Sequence, residues 1–374
     1  MSVVRSNNVE KIDGGLSHLL KLLLHKCFSY PYDLRQGVYI DLSFDSPILL
    51  FGEVYCMVQD LAAHKMSTLC KGHSAHRVCP LCQNVVSLHC PWLPDPAGLL
   101  HSIASFEVEK FASHTDATIL ATLKRLQNEA HAAREPSQLA TLQTQLGFNH
   151  SDENLFLCPT LSLGMKTVIM LDWVHIMSIG GIFAVEMSEL LAILRKHNLG
   201  EVQLGAYLPK ICWPRGYASG AGVCADGNFG GSASAMLSSV PVIKKYLRDV
   251  VSPTRVCGKE VDSCLALCDL IFLLAVVNQG VSPKQLERAV MKFFRAHLEA
   301  YGVTLLIPKH HYLLHLPAML LLFGFLLNTL VEERKHKALK RMCTPRHNAT
   351  SFELGVLQDM TCQHLYELKE QPLH

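Results

Sequence analysis

The sequence has no long unbroken apolar run, no excess of one charge and no low-complexity tail, and each absence narrows what the chain can be. Its two longest apolar runs, at 316–331 and 265–277, are interrupted by Pro317, Gly324 and Asn328 and by Asp269. Both fall short of the roughly 20 apolar residues that a membrane-spanning helix needs, so buried helices are expected and no membrane partner. Lys and Arg number 34 against 32 Asp and Glu, a formal charge of +2. That balance neither demands nor excludes nucleic acid, because a local basic face can sit inside a near-neutral total. The start, MSVVRSNNVEK, lacks the apolar segment of a signal peptide, which predicts an intracellular, reduced protein. The 14 cysteines are irregularly spaced and do not form a small secreted disulfide framework. In that compartment Asn348-Ala349-Thr350 is a chance match to a glycosylation acceptor.

Several catalytic signatures are also missing. There is no G-x-S-x-G elbow, no G-x-x-x-x-G-K-[ST] phosphate loop and no H-E-x-x-H. The glycines from Gly220 to Gly227 lack the strand–turn–helix setting of a nucleotide fingerprint. Nucleophilic hydrolases and nucleotide-dependent enzymes are thereby disfavoured.

What is present is ample core material. With 374 residues, 49% hydrophobic and 18% charged, the chain is long enough for two domains or for one large domain with insertions. Leu16, Leu19, Leu20 and Leu23 have helical spacing, whereas Val38-Tyr39-Ile40 and 48–51 read as short strands. From Asp116 onward Ile119, Leu123, Leu126 and Ala130 share a helical face that Pro136 ends, and a second helix with Leu139, Leu142 and Leu146 stops at Gly147. "KTVIMLDW" is an apolar run of strand length ending in Asp172, and Met187, Leu190, Leu191 and Leu194 mark an amphipathic helix closed by Asn198 and Gly200. Residues 213–233 are glycine-rich and read as a loop; Ser282-Pro283-Lys284-Gln285 is a capping-box start for a helix lined by Leu286, Val290 and Phe293.

Three constellations could carry chemistry. "VCPLCQ" places Cys79 and Cys82 at C-x2-C spacing, which lets two thiolates reach one tetrahedral ion. Local candidates for the remaining ligands are Cys70, His73, His76, His89 and Cys90; distant ones are His311 and His315, at the i, i+4 spacing that shares a helical face. The competing reading makes all of them ordinary core residues. Asp172 closes a buried strand, with His175 three residues on, and Asp60 follows the apolar stretch 54–58. Carboxylates at strand ends are common ligand or metal positions in α/β folds, but aspartate is also a favoured helix N-cap. "VEERKHKALKRM" sets Glu333 beside Arg334, Lys335, Lys337, Lys340 and Arg341, which reads either as phosphate contact or as a solvated helix with Glu–Lys pairs. Cys264 and Cys268 read as core, and Lys244, Lys245 and Tyr246 as surface able to touch DNA.

Six pieces in order, "GGLSHLLKLLL", "VQDLAAHK", "KGHSAHRVCPLCQNVV", "LDWVHIM", "PKHHYLLHLP" and "VEERKHKALKRM", resemble the catalytic core of DDE-type transposases of the CACTA and Plavaka kind, as in transposon-derived reading frames of protists. The V(D)J recombinase core has a similar plan. The resemblance implies an α/β chain, α+β with large helical content: an RNase H-like core interrupted by a helical insertion and held by a structural zinc. It implies Asp60, Asp172 and Glu333 as catalytic carboxylates for two magnesium or manganese ions about 4 Å apart, with Asp41 and Asp45 as rivals for the first position. It implies Cys79, Cys82, His311 and His315 as zinc ligands, DNA as partner through the basic residues after Glu333, a nuclear location and a homo-oligomer as a possible assembly. The implied organisation is an N-terminal part of the core at 1–110, a helical segment at 111–160, the Asp172 strand and helix at 161–200, the insertion at 201–305 and C-terminal helices at 306–374. The chain begins thirteen residues before the first matching piece, so an upstream DNA-binding region is expected to be missing and the protein to be a truncated or domesticated copy, active or not. A zinc-stabilised module that binds DNA or protein without catalysis is the alternative.

Overall fold

Two short strands buried in the middle of a mainly helical chain set the geometry of everything near them. In the computed structural model, which describes residues 9, 11–41, 46–132, 135–211, 224–225, 228–330 and four isolated positions after 357, β3 (Met57–Gln59) pairs with β6 (Ile169–Leu171) in parallel. The register is Met57 with Ile169, Val58 with Met170 and Gln59 with Leu171. Each strand runs straight into a helix capped by the next residue. Asp60 opens α2 (Leu61–Thr68) and Asp172 opens α6 (Trp173–Met177). The same strand–Asp–helix unit thus occurs twice, side by side.

The other strands are short and local: an antiparallel pair β1 (Val38–Ile40) and β2 (Ile48–Leu50), a parallel pair β4 (Val85–Val86) and β5 (His101–Ser102), and an antiparallel pair β7 (Cys224–Ala225) and β8 (Asn228–Phe229). Helices do most of the packing. α1 (Gly15–Cys27) lies against α2, while α3 (Asp116–Ala132) and α4 (Pro136–Leu146) form a hairpin. The sequence places a stop at Pro136, but this proline occupies the first turn of α4, where its missing N–H costs nothing; α3 has already ended at Ala132. Gly147 closes α4 in the left-handed region (φ +86°), and a Cβ there would meet the Arg77 carbonyl oxygen at 2.4 Å.

A helical turn, α5 (Met165–Val168), precedes β6. The apolar stretch Trp173–Arg195 is long and apolar enough to cross a membrane by composition, but it is divided into α6 and α7 (Ile182–Arg195) by a turn at 178–181. Gly181 permits that turn, because a Cβ there would lie 2.4 Å from the Ile176 carbonyl oxygen. After α8 (Glu201–Tyr207), most of the glycine-rich stretch expected at 213–233 lies outside the described residues. α9 (Ala233–Tyr246), α10 (Gly258–Ala275) and α11 (Pro283–Tyr301) follow, with α11 opened by the expected Ser282–Gln285 capping box. Tyr246 is not surface: it is 1% exposed, and its hydroxyl donates to the Leu199 carbonyl. Lys244 and Lys245 pair with Asp269 and Asp249.

One polar contact fastens this helical part. Glu186 on α7, fully buried, accepts from Ser263 Oγ on α10 at 2.8 Å and bonds His297 Nδ1 on α11 at 2.9 Å. Removing one member of a buried polar pair strands the other, a loss of about 3–5 kcal/mol, whereas replacing both by apolar groups relieves it. Glu186→Ala should therefore lower unfolding free energy by about 3 kcal/mol or more, and Glu186→Leu combined with His297→Leu by clearly less than the sum of the singles; urea titration of the wild type and the four variants checks this.

Candidate metal centre and carboxylate pair

The Cys79–Cys82 knuckle lies in the loop between α2 and β4, tightened by a Cys82 N–H to Cys79 carbonyl bond at 3.4 Å. More than 220 residues later come α12 (Pro308–Leu313), which carries His311, and α13 (Leu316–Phe323), which His315 precedes. The expected single helix is two. Pro317 has no N–H to continue the ladder, and the backbone tightens at Leu314 and His315 into bonds back to His311 and Tyr312. The two imidazoles nevertheless stay together, ring centroids 4.9 Å apart and edge to face.

The four side chains converge. Cys79 Sγ is 3.3 Å from His315 Nε2, Cys82 Sγ is 3.6 Å from both His311 Nε2 and His315 Nε2, and the two Nε2 atoms are 3.2 Å apart. A tetrahedral ion with zinc-like bond lengths sets its ligands about 3.6 Å apart for sulfur–nitrogen edges and about 3.3 Å for nitrogen–nitrogen. The cluster could therefore hold a metal ion such as zinc, and three of its members are buried. Burial pushes the Cys79 thiol up and the His311 imidazole down, while a hydrogen bond from Cys79, reinforced by His311 and His315, holds Cys82 far below the ordinary thiol range. Two sulfur and two nitrogen donors converging on one buried point are a set that a cation completes. Phe111 packs on His311 at 5.2 Å, and the Tyr312 hydroxyl donates to the Val78 carbonyl, so the knuckle and α12 are also joined directly. The local candidates Cys70, His73, His76, His89 and Cys90 stand outside this group; His76, for one, packs edge-on against Trp92.

The parallel register sets Asp60 and Asp172 next to each other, each one residue beyond a paired position. Both are N-caps: Asp60 accepts from the Ala63 N–H at 2.6 Å and Asp172 from the Val174 N–H at 2.8 Å. Asp172, 1% exposed, also bonds His175 Nδ1 at 2.6 Å and accepts from the Thr329 N–H at 3.1 Å and the Thr329 hydroxyl. Burial pushes the Asp172 carboxyl up, but the bonds from His175 and Thr329 outweigh it and hold the group below the usual carboxylate range. Both aspartates pull on Lys309, whose ammonium donates to the His175 and Ile179 carbonyls at 2.8 and 2.6 Å, and on buried His64, whose Nε2 donates to the Met170 carbonyl.

Of the rival carboxylates, Asp41 follows β1, which belongs to a different sheet from β3 and β6, and Asp45 lies outside the described residues. Glu333, Arg334, Lys335, Lys337, Lys340 and Arg341 also lie outside them. Lys309 and Thr329 were not singled out in the sequence, and no local pattern marks them, since both act across more than 125 residues. No family model matches the chain, and neither a curated protein nor a solved structure does.

Two outcomes follow. A structural ion in a site of this kind contributes about 10–16 kcal/mol of binding energy, as much as a whole domain's stability. The purified protein should carry close to one equivalent of metal by elemental analysis, and Cys82→Ser or His311→Ala should lose it and unfold cooperatively at markedly lower temperature. For Asp172 the folded value is depressed, so its contribution is complete above the ordinary aspartate value near 3.8 and fades as pH falls through the folded value. Asp172→Asn should lower stability at pH 7 by about 1–3 kcal/mol and flatten the acid limb of the stability curve; urea titrations from pH 2 to pH 7 check it.

Proposed function

We propose that this chain is a transposase-derived DNA-processing domain of the DDE, RNase H-like type, cleaving and joining DNA strands with divalent metal, its core tied together by zinc at Cys79, Cys82, His311 and His315. The observation that carries the reading is the register of β3 and β6, which sets Asp60 and Asp172 at the same end of neighbouring parallel strands. Two carboxylates at adjacent strand ends suit a pair of hard, oxygen-loving cations, which activate an attacking oxygen and stabilise a leaving one. In this reading Asp60 and Asp172 supply two of three carboxylates and Glu333 the third, with Arg334, Lys335, Lys337, Lys340 and Arg341 contacting DNA phosphates. Zinc is favoured at the other centre because two thiols and two imidazoles are soft and borderline donors, a poor match for magnesium. Nuclear location and assembly with further copies of the chain belong to the same proposal.

A second reading has a specific observation behind it. Asp172 is 1% exposed, its Oδ2 is already engaged by His175 and Thr329 and its Oδ1 by Val174, so the carboxylate is largely committed within the protein. A descendant that keeps the carboxylates as helix caps and binds DNA or protein without catalysis fits that engagement.

Magnesium- or manganese-dependent nicking of supercoiled DNA separates the two. The enzymatic reading expects nicking by the wild type and background rates for Asp60→Asn and Glu333→Gln, with DNA affinity retained and salt-sensitive. Nicking that persists unchanged in both variants removes the carboxylate assignment; salt-sensitive binding with no nicking by the wild type favours the non-enzymatic descendant.

A further inference from the structure

A second group of metal-ligand side chains lies on the α3–α4 hairpin, outside both centres described above. His131 is in the last turn of α3, while His150 and Asp152 follow α4. Their ligand atoms all lie within 4.8 Å of one another. His131 Nε2 is 3.2 Å from Asp152 Oδ1, and His150 Nε2 is 3.5 Å from the same oxygen.

Ion pairing with Asp152 accounts for His131 and brings His150 to 3.5 Å, but it leaves the His150 Nε2 without a hydrogen bond. His150 Nε2 is buried and has no hydrogen-bond partner among the described residues; at 3.5 Å the Asp152 oxygen is a neighbour that makes no such bond. Two ligands of one tetrahedral ion, nitrogen at about 2.05 Å and oxygen at about 2.1 Å, stand about 3.4 Å apart. The separations of 3.2 and 3.5 Å bracket that edge. The donors are also held from behind. Gln127 Nε2 donates to Asp152 Oδ1 at 2.9 Å, the His150 backbone N–H donates to Gln143 Oε1 at 2.6 Å and so fixes the main chain that carries the ring, and the two imidazoles meet edge to face. Such outer contacts fix the direction in which a ligand presents its donor atom.

We propose that His131, His150 and Asp152 form a second, open metal site that takes a borderline divalent cation such as zinc, cobalt or nickel. Two imidazoles and one carboxylate select these over magnesium or calcium, whose shells are built from oxygen. Three protein ligands leave a fourth position free, and with His131 and Asp152 62% and 49% exposed, that position faces solvent, where water or a donor from another molecule completes the shell. The bound ion joins the end of α3 to the segment after α4, closing the hairpin.

Cobalt(II) added to the protein as purified tests the site, with calorimetry giving equivalents bound and absorption reporting thiolate ligation. The wild type should bind one equivalent more than His131→Ala or Asp152→Asn, and that equivalent should show no cobalt–thiolate charge-transfer band. Any exchange at the cysteine-containing centre is common to all three proteins and cancels in the difference. Both altered side chains are largely exposed, so the variants should fold, which unchanged circular dichroism verifies. Equal uptake by the wild type and both variants overturns the proposal, as does an extra equivalent that carries the thiolate band.

Discussion

One convergence joins the early and late parts of the chain: two thiols from an early loop and two imidazoles from a late helical turn share a space that could hold a single ion. Burial alone disfavours the charged forms of Cys79 and His311, so the cluster gains little from being packed together without a cation. With one, each donor atom gains a bond, and a loop closure of more than 220 residues is fixed at a point. Closing so long a loop carries a substantial entropy cost, and a cross-link between its ends offsets it. The Phe111–His311 ring contact, the Tyr312–Val78 hydrogen bond and the packing of Tyr55 on Phe323 and Phe325 close the same loop from beside the cluster.

The same turn that presents His311 reaches the carboxylates. Lys309 stands two residues before it, and its ammonium is held by the carbonyls at the end of α6 while feeling both Asp60 and Asp172. One short helix, α12, therefore carries a side chain of each cluster. The charge at the strand ends is already partly balanced by Lys309, and by the protons that His175 and Thr329 direct at Asp172. The two aspartates are not equivalent. Asp60 holds one N–H and stays partly exposed, whereas Asp172 is enclosed.

Much of this was legible in the residues. The helical spacing of Ile119, Leu123 and Leu126, the Ser282–Gln285 box, the β6 strand ending at Asp172 and the burial of Cys264 and Cys268 all rest on local rules, and local rules are what a single sequence displays. For Asp60 and Asp172 the sequence allows a strand-end carboxylate or a helix N-cap, and both aspartates occupy the two positions at once, since each strand leads directly into a helix. The pairing of the C-x2-C knuckle with His311 and His315 rather than with nearer candidates came through the family resemblance, because spacing alone left the nearer residues open. Tyr246 was misplaced for a physical reason: flanking lysines suggested surface, but an amphipathic helix turns its tyrosine inward within one residue of them. Lys309, Thr329 and the Glu186–His297 pair were invisible because their partners lie more than 100 residues away.

Why would a chain keep two aspartates side by side if they served only as caps? A cap needs an acceptor at one helix start and is satisfied as well by serine, threonine or asparagine, none of which adds charge. Two carboxylates at adjacent parallel strand ends repel each other, and the repulsion grows as water is excluded. Here Lys309, His175 and Thr329 supply the compensation, at the cost of partly burying an ammonium whose charged state is disfavoured by that burial. On the reading proposed above, a cation held between the two carboxylates would supply that neutralisation more fully than the protein's own donors do.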